Sequence, residues 1–112
     1  MDRAVSWVTA AEKAFQKFPA PVQSQMRTAL EVAAAGQTTD IAKPMKGLGA
    51  GVYELRIAYR RNAYRADYAV QIGSDLWVVH AFQKKSTQGI KTPKKEIDLI
   101  RSRLKRLQET FG

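Results

Sequence analysis

The sequence predicts an α+β fold. Three observations carry this: apolar residues recur at helical spacing up to Gly36, side chains alternate with a period of two from Val52 to Lys84, and helical spacing returns after Thr92-Pro93. The expected architecture is an N-terminal helical hairpin and a C-terminal helix around a mainly antiparallel sheet. At 112 residues the chain makes one domain, residues 1–112, large enough to bury a core without staples.

Ala4 to Val8 is open to two readings, a short first strand or the lead into a helix. Ala10 to Phe18 predicts the first helix, with Ala11, Ala14, Phe15 and Phe18 on one face. Pro19 and Pro21 break it. Pro21 suits the first turn of a second helix, where its missing N–H is not needed, and Val22, Met26, Ala29, Leu30 and Ala33 continue the apolar stripe to Gly36. Gln37 to Ala50, with Thr38, Thr39, Pro44, Gly47 and Gly49, has the composition of a linker.

Parity registers the sheet. Tyr53, Leu55, Ile57 and Tyr59 alternate with Glu54, Arg56, Ala58 and Arg60, and Tyr64, Ala66, Tyr68, Val70 and Ile72 alternate with Arg65, Asp67, Ala69 and Gln71. For both apolar sets to face one core the loop must be even, and Arg61-Asn62 supplies two residues. That register sets Arg56 opposite Asp67 and Ala58 opposite Arg65. A second tight turn at Gly73-Ser74 sets Trp77 opposite Val70, His80 opposite Asp67 and Phe82 opposite Arg65, with Lys84 one step beyond. The third strand is apolar on both sides from Leu76 to Ala81, which suits partial cover by the last helix. That helix is expected to start with Thr92 as N-cap and Pro93 first inside, and to carry Ile97, Ile100, Leu104, Leu107 and Phe111 as its stripe.

Nineteen Lys and Arg against ten Asp and Glu give a net charge of +9, with the excess after Lys43. Such a balance in so small a domain points to a polyanion, either nucleic acid or an acidic protein surface. With no cysteine and a single histidine the sequence calls for no metal and no cofactor. No apolar run approaches the ~18 residues of a membrane span, and the N-terminus lacks the apolar core of a signal peptide, so the chain is expected to be mature, soluble and cytoplasmic.

The polar face of the predicted sheet carries acid, base and cation together. Cleaving RNA by attack of its own 2′-hydroxyl needs a base, positive charge on the phosphate and a proton for the leaving oxygen. Arg56 and Arg65 can fork onto phosphate oxygens, His80 titrates near neutrality, and Lys84 can stabilise charge or move a proton. Phe82 can stack on a base, and Lys43, Lys46, Lys85, Lys91 and Lys94 can reach the backbone. Each also has a plainer reading. Arg56 and Asp67 can form a cross-strand ion pair, His80 can be a covered histidine held by Asp67, and linker or helix lysines can be merely solvated.

Lys43-Pro44-Met45-Lys46-Gly47-Leu48-Gly49, Gly51-Val52-Tyr53-Glu54-Leu55-Arg56, Tyr64-Arg65-Ala66 with Tyr68, His80-Ala81-Phe82-Gln83-Lys84-Lys85-Ser86 and Lys91-Thr92-Pro93-Lys94 with Glu96-Ile97 together resemble the HigB-like, phage-derived branch of the RelE/ParE toxin superfamily. The resemblance implies a RelE-like fold and the toxin half of a type II toxin–antitoxin pair, a ribosome-dependent mRNA endoribonuclease that inhibits translation. In its terms Arg65 matches the central-strand arginine at the scissile phosphate, Arg56 a basic position on the preceding strand, and Lys84 with Lys85 the basic cluster after the last strand. The base, His80 or a lysine, stays open. A C-terminal tyrosine used by some relatives has no counterpart, since no Tyr follows Tyr68. The implied partners are the ribosome, its mRNA and a helix-turn-helix antitoxin bound in a hetero-oligomer. Two rival classes share the features: a ParE-like gyrase inhibitor and a non-catalytic RNA- or partner-binding module.

Overall fold

A computed structural model describes residues 2–85 and 91–112, with Lys85 described by its backbone alone. Five strands form one sheet in the order β1-β5-β4-β3-β2: β1 (Val5–Trp7), β2 (Ala42–Pro44), β3 (Val52–Tyr59), β4 (Asn62–Ile72) and β5 (Asp75–Lys85). Helices α1 (Thr9–Phe15) and α2 (Ala20–Ala34) lie between β1 and β2 in the chain, and α3 (Lys94–Phe111) follows β5. The sheet is antiparallel except where β1 pairs with β5. The open question at Ala4–Val8 resolves to a strand. Its short segment can satisfy its backbone on β5, and Ser6 Oγ donates to Asp75 at 2.6 Å.

The expected linker contains a strand. Ala42–Pro44 pairs with Tyr53–Leu55 on the outer edge, where the missing N–H of Pro44 does not interrupt a ladder on both sides. Pairing needs the chain to return sharply, and Gly51 allows it. At φ +77° a Cβ there would stand 2.8 Å from Val70 Cγ2.

The sheet buries both faces. Toward α1 and α2 it presents Leu55, Ile57, Tyr64, Ala66, Tyr68, Leu76, Val78 and Ala81, which pack with Phe15, Phe18, Val22, Met26 and Leu30. Toward α3 it presents Val52, Ala69, Ile72 and Val79, which pack with Ile100, Leu104 and Leu107. The first helix is shorter than its apolar repeat, because Phe18 reaches the same core from a tight turn, with its N–H on the Phe15 carbonyl. At the far end of α3, Phe111 is exposed yet lies 5.1 Å from the Trp77 ring, centroid to centroid.

Two corrections to the expected register follow from the backbone. The β3–β4 turn is Arg60-Arg61, both at positive φ, not Arg61-Asn62, so Arg56 faces Arg65 and Glu54 faces Asp67. The slip of β3 is two residues, so parity and faces survive. On β5, Trp77 faces Ala69 rather than Val70, because β4 and β5 each carry a bulge and the two offsets cancel. His80 therefore does face Asp67, and Phe82 faces Arg65. The β5 bulge at Val79 also switches phase. Val78 packs toward the hairpin, whereas Val79 and then His80, Phe82 and Lys84 turn toward α3. The doubly apolar stretch from Leu76 to Ala81 is this phase change read in sequence.

Candidate functional site

On the α3 side the pairing brings three rows together. The first runs Lys43, Glu54, Asp67, His80; the second Arg56, Arg65, Phe82; the third Ala58, Ala63, Lys84. The expected solvent-facing surface is largely covered. Arg65 is 4% exposed, Asp67 0%, His80 6% and Lys84 3%, because α3 and the residues before it lie over β4 and β5. Arg56 is different: its side chain is 31% exposed at the open, β3 side.

Glu54 is the hub, and the sequence reading passed over it. Its Oε1 accepts from Arg65 Nη1 at 2.9 Å, Arg56 Nε at 3.0 Å and Thr92 Oγ1 at 2.9 Å. Thr92 is thus spent on the site and not on capping: α3 starts at Lys94 with Pro93 in the cap position and no side-chain cap bond. Arg65 has no acidic residue directly opposite, since it faces Arg56 and Phe82, and it pairs instead with Glu54 diagonally across the sheet. Parity already put Glu54 on the face of Arg56; that was the available signal.

Glu54 and Asp67 face each other across β3 and β4 in the dry centre of the face, both fully buried. Burial pushes the Asp67 carboxyl well above its ordinary range, and the hydrogen bond to Glu54 and its negative charge push the same way, against Arg65 and Arg56. Burial raises Glu54 as well, but the hydrogen bonds from Asp67 and Thr92, the charge of Arg65 and the bond from Arg56 together take it below its ordinary value. The two shifts run in opposite directions, so the pair favours ionisation at Glu54 over Asp67.

His80 is not held by Asp67. Its Nε2 lies 2.7 Å from Glu96 Oε1, and its Nδ1 lies 3.0 Å from Arg103 Nη1. Guanidinium only donates, so Nδ1 accepts and the proton sits on Nε2, where it is donated to Glu96. Burial lowers the pKa of this imidazole, the hydrogen bond it donates to Glu96 opposes it, and Arg103 lowers it further. Phe82 stacks on the ring at 5.1 Å and is itself buried, so it is not free to take a base. Arg56 and Asp67 likewise do not pair across strands.

Lys84 Nζ donates to the Lys91 carbonyl. Burial lowers its pKa first, and the neighbouring charge of Arg65 adds to this. Lys43 extends the first row at the edge, exposed, and Lys46 lies beyond β2 toward Gly47, whose carbonyl takes Arg101. The Lys91 side chain is exposed near the cluster, while Lys94 is occupied by Asp98 at 2.9 Å on the outer face of α3. The Lys85 side chain and Ser86 lie outside the described residues.

The profile of the phage-derived Gp49-like protein family matches residues 13–105, a span that holds every residue of this cluster. The chain belongs to this family. No curated protein matches it in sequence. Among solved structures, the Gp49-like chain is similar to a mutant of the Escherichia coli toxin RelE in the free state, with TM-score 0.63 and 17% identity over 95% of this chain and 98% of that one. The isolated E. coli RelE toxin gives TM-score 0.57 and 16% identity over 89% and 98%. The Mycobacterium tuberculosis toxin–antitoxin complex RelBE2 gives 0.51 and 15% over 77% and 94%. The fold of this Gp49-like protein is therefore RelE-like. Among its described residues no helix is long and apolar enough to cross a membrane.

Proposed function

We propose that this Gp49-like protein is the toxin of a type II toxin–antitoxin pair, acting in the cytoplasm as a ribosome-dependent mRNA endoribonuclease. One observation carries the reading: Arg56, Arg65 and Lys84 converge on one sheet face around the Glu54 carboxylate, while burial pushes the neighbouring Asp67 carboxyl above its ordinary range. Positive charge is in surplus where water is scarce. Arg65 Nε, buried and without a partner among the described residues, is one more donor for an anion. A scissile phosphate in this cluster supplies the missing negative charge, and the cations gain as charge builds on the pentacoordinate phosphorus.

Within this reading Arg65 and Arg56 hold the phosphate, and Lys84, with its depressed pKa, is the better placed group for proton transfer. His80 has both ring nitrogens engaged, so it serves by holding Phe82 and the start of α3 in place. The ribosome supplies the positioning of mRNA that so spare a site lacks. A helix-turn-helix antitoxin covering the basic surface would block that entry. The internal bonding of Arg65 and His80 favours a second reading, a non-catalytic RNA-binding module, and the same assay separates the two.

Arg56→Ala is the cleanest variant, because the Arg56 side chain is 31% exposed and Glu54 keeps its bonds from Arg65 and Thr92. In a translation reaction with a defined mRNA, primer extension is expected to show ribosome-dependent cuts with wild-type protein and about a hundredfold fewer with Arg56→Ala. Uncut mRNA with folded wild-type protein would transfer the weight to binding without cleavage, or to gyrase inhibition.

A further inference from the structure

The turn joining β3 to β4 places two arginines where side chains are least at ease. Arg60 has φ +48° and Arg61 φ +69°, the left-handed pair that a two-residue hairpin turn of this hand requires. Asn-Gly fits that turn with little strain, and two arginines do not. Both are exposed, neither takes part in an ion pair among the described residues, and the Arg60 guanidinium lies 5.2 Å from the Tyr59 ring centre.

What lies between this tip and the cluster matters equally. Arg56 and Arg65 pair across the strands; the next pair on the same face is Ala58 with Ala63, followed by Tyr59 with Asn62 on the opposite face and then the turn. Ala58 is exposed and Lys84 stands beside Ala63 on the third strand. The result is a lane floored by Ala58 and Ala63, running from the Arg56–Arg65 pair, which Glu54 partly neutralises, to the arginine tip, with no acidic side chain between them among the described residues. Three residues lie between Arg61 and Arg65, a rise of four steps or about 13 Å along the sheet.

Building on the nuclease reading, we infer that the Arg60-Arg61 tip is a second phosphate-anchoring site, which grips the single-stranded RNA backbone to one side of the scissile phosphate. The lane suits a thin polyanion. An acidic protein would need donors spread over an area, whereas these cations lie in a line with a path one strand wide. On this inference the two arginines at the strained turn serve binding and not folding.

The test is Arg60→Asn/Arg61→Gly, a pair chosen to relax the turn, with Ala58→Glu as a second variant that puts negative charge in the lane. Thermal unfolding is expected to show the first variant at least as stable as wild type. Fluorescence anisotropy with a single-stranded RNA oligonucleotide should show at least about tenfold weaker binding, with the slope of log K against log salt shallower by about 1.4, the contribution of two single-strand phosphate contacts. Ala58→Glu should weaken RNA binding with folding unchanged. Equal losses on a polyglutamate probe of matched charge would overturn the inference in favour of a general anion surface, and so would unchanged RNA affinity in folded variants. Cleavage in programmed translation runs alongside. If wild type cuts and the variants bind normally, the inference fails and the nuclease reading stands; if the variants lose binding and wild type never cuts, the anchoring site stands and the nuclease fails. Wild type that neither binds RNA nor cuts ends both.

Discussion

Glu54→Ala is expected to lower stability by about 3 kcal/mol in urea unfolding, near the low end of what breaking a buried ion pair costs. The carboxylate is fully buried and carries Arg65, Arg56 and Thr92 on one oxygen. Without it, Arg65 would be a covered charge with no counter-ion, since its side chain is 5% exposed. The loss stays at the low end because Asp67 stands beside it. Relieved of its anionic neighbour and facing Arg65, Asp67 should give up its proton and take over the charge. The double variant Glu54→Ala/Asp67→Asn removes that rescue. It should therefore unfold more easily than the sum of the single changes predicts, with a coupling of about 1 kcal/mol or more. Additive effects, or a loss well under about 1 kcal/mol for Glu54→Ala, would mean that this carboxylate is not the hub of the network.

Asp67→Asn alone should act in the opposite direction at neutral pH. Asparagine keeps a donor for Glu54 and has no proton to retain. In wild type the folded pKa of Asp67 is raised, so above its unfolded value of about 3.9 the unfolded chain binds fewer protons than the folded one. The stability from this group is fully present below that value and falls by about 1.4 kcal/mol per pH unit above it, until the folded pKa is reached. Glu54 runs the other way. Its lowered pKa contributes stability above its unfolded value, lost as pH falls. Comparing variant with wild type isolates Asp67: the advantage of Asp67→Asn should be small near pH 4 and widen as pH rises from there until the folded pKa is passed. A difference that stays flat across that range would show that Asp67 ionises freely in the fold. Because neither Asp67 oxygen bonds Arg56, Arg65 or Lys84, the variant should also keep whatever cleavage the wild type has.

The helical hairpin and the faces of β3 and β4 were legible because one period governs each: Val22, Met26, Ala29, Leu30 and Ala33 recur as a helix stripe and are buried as one. β2 was not legible. Three residues with a proline hold no periodic signal, and the strand exists because β3 offers it an edge. The two-residue error in register had a similar source. Parity allows any even loop, and choosing Arg60-Arg61 over Arg61-Asn62 depends on ladder pairs across the hairpin and not on local preference, which disfavours two arginines at positive φ.

The site shows the same division. Residue types and alternation by themselves placed Arg56, Arg65, Asp67, His80 and Lys84 on one face, predicted cover from the terminal helix, and carried the surplus of positive charge. Tertiary structure alone decided how those groups are wired: the Val79 bulge that turns His80 toward α3, the selection of Glu54 as the shared acceptor, and the partners Thr92, Glu96 and Arg103 brought from distant sequence. The reason is physical. Side-chain period is set by the local backbone, but the protonation of Asp67, the tautomer of His80 and the depressed pKa of Lys84 arise from burial and charges at close range, and these exist only once α3 has closed over the sheet.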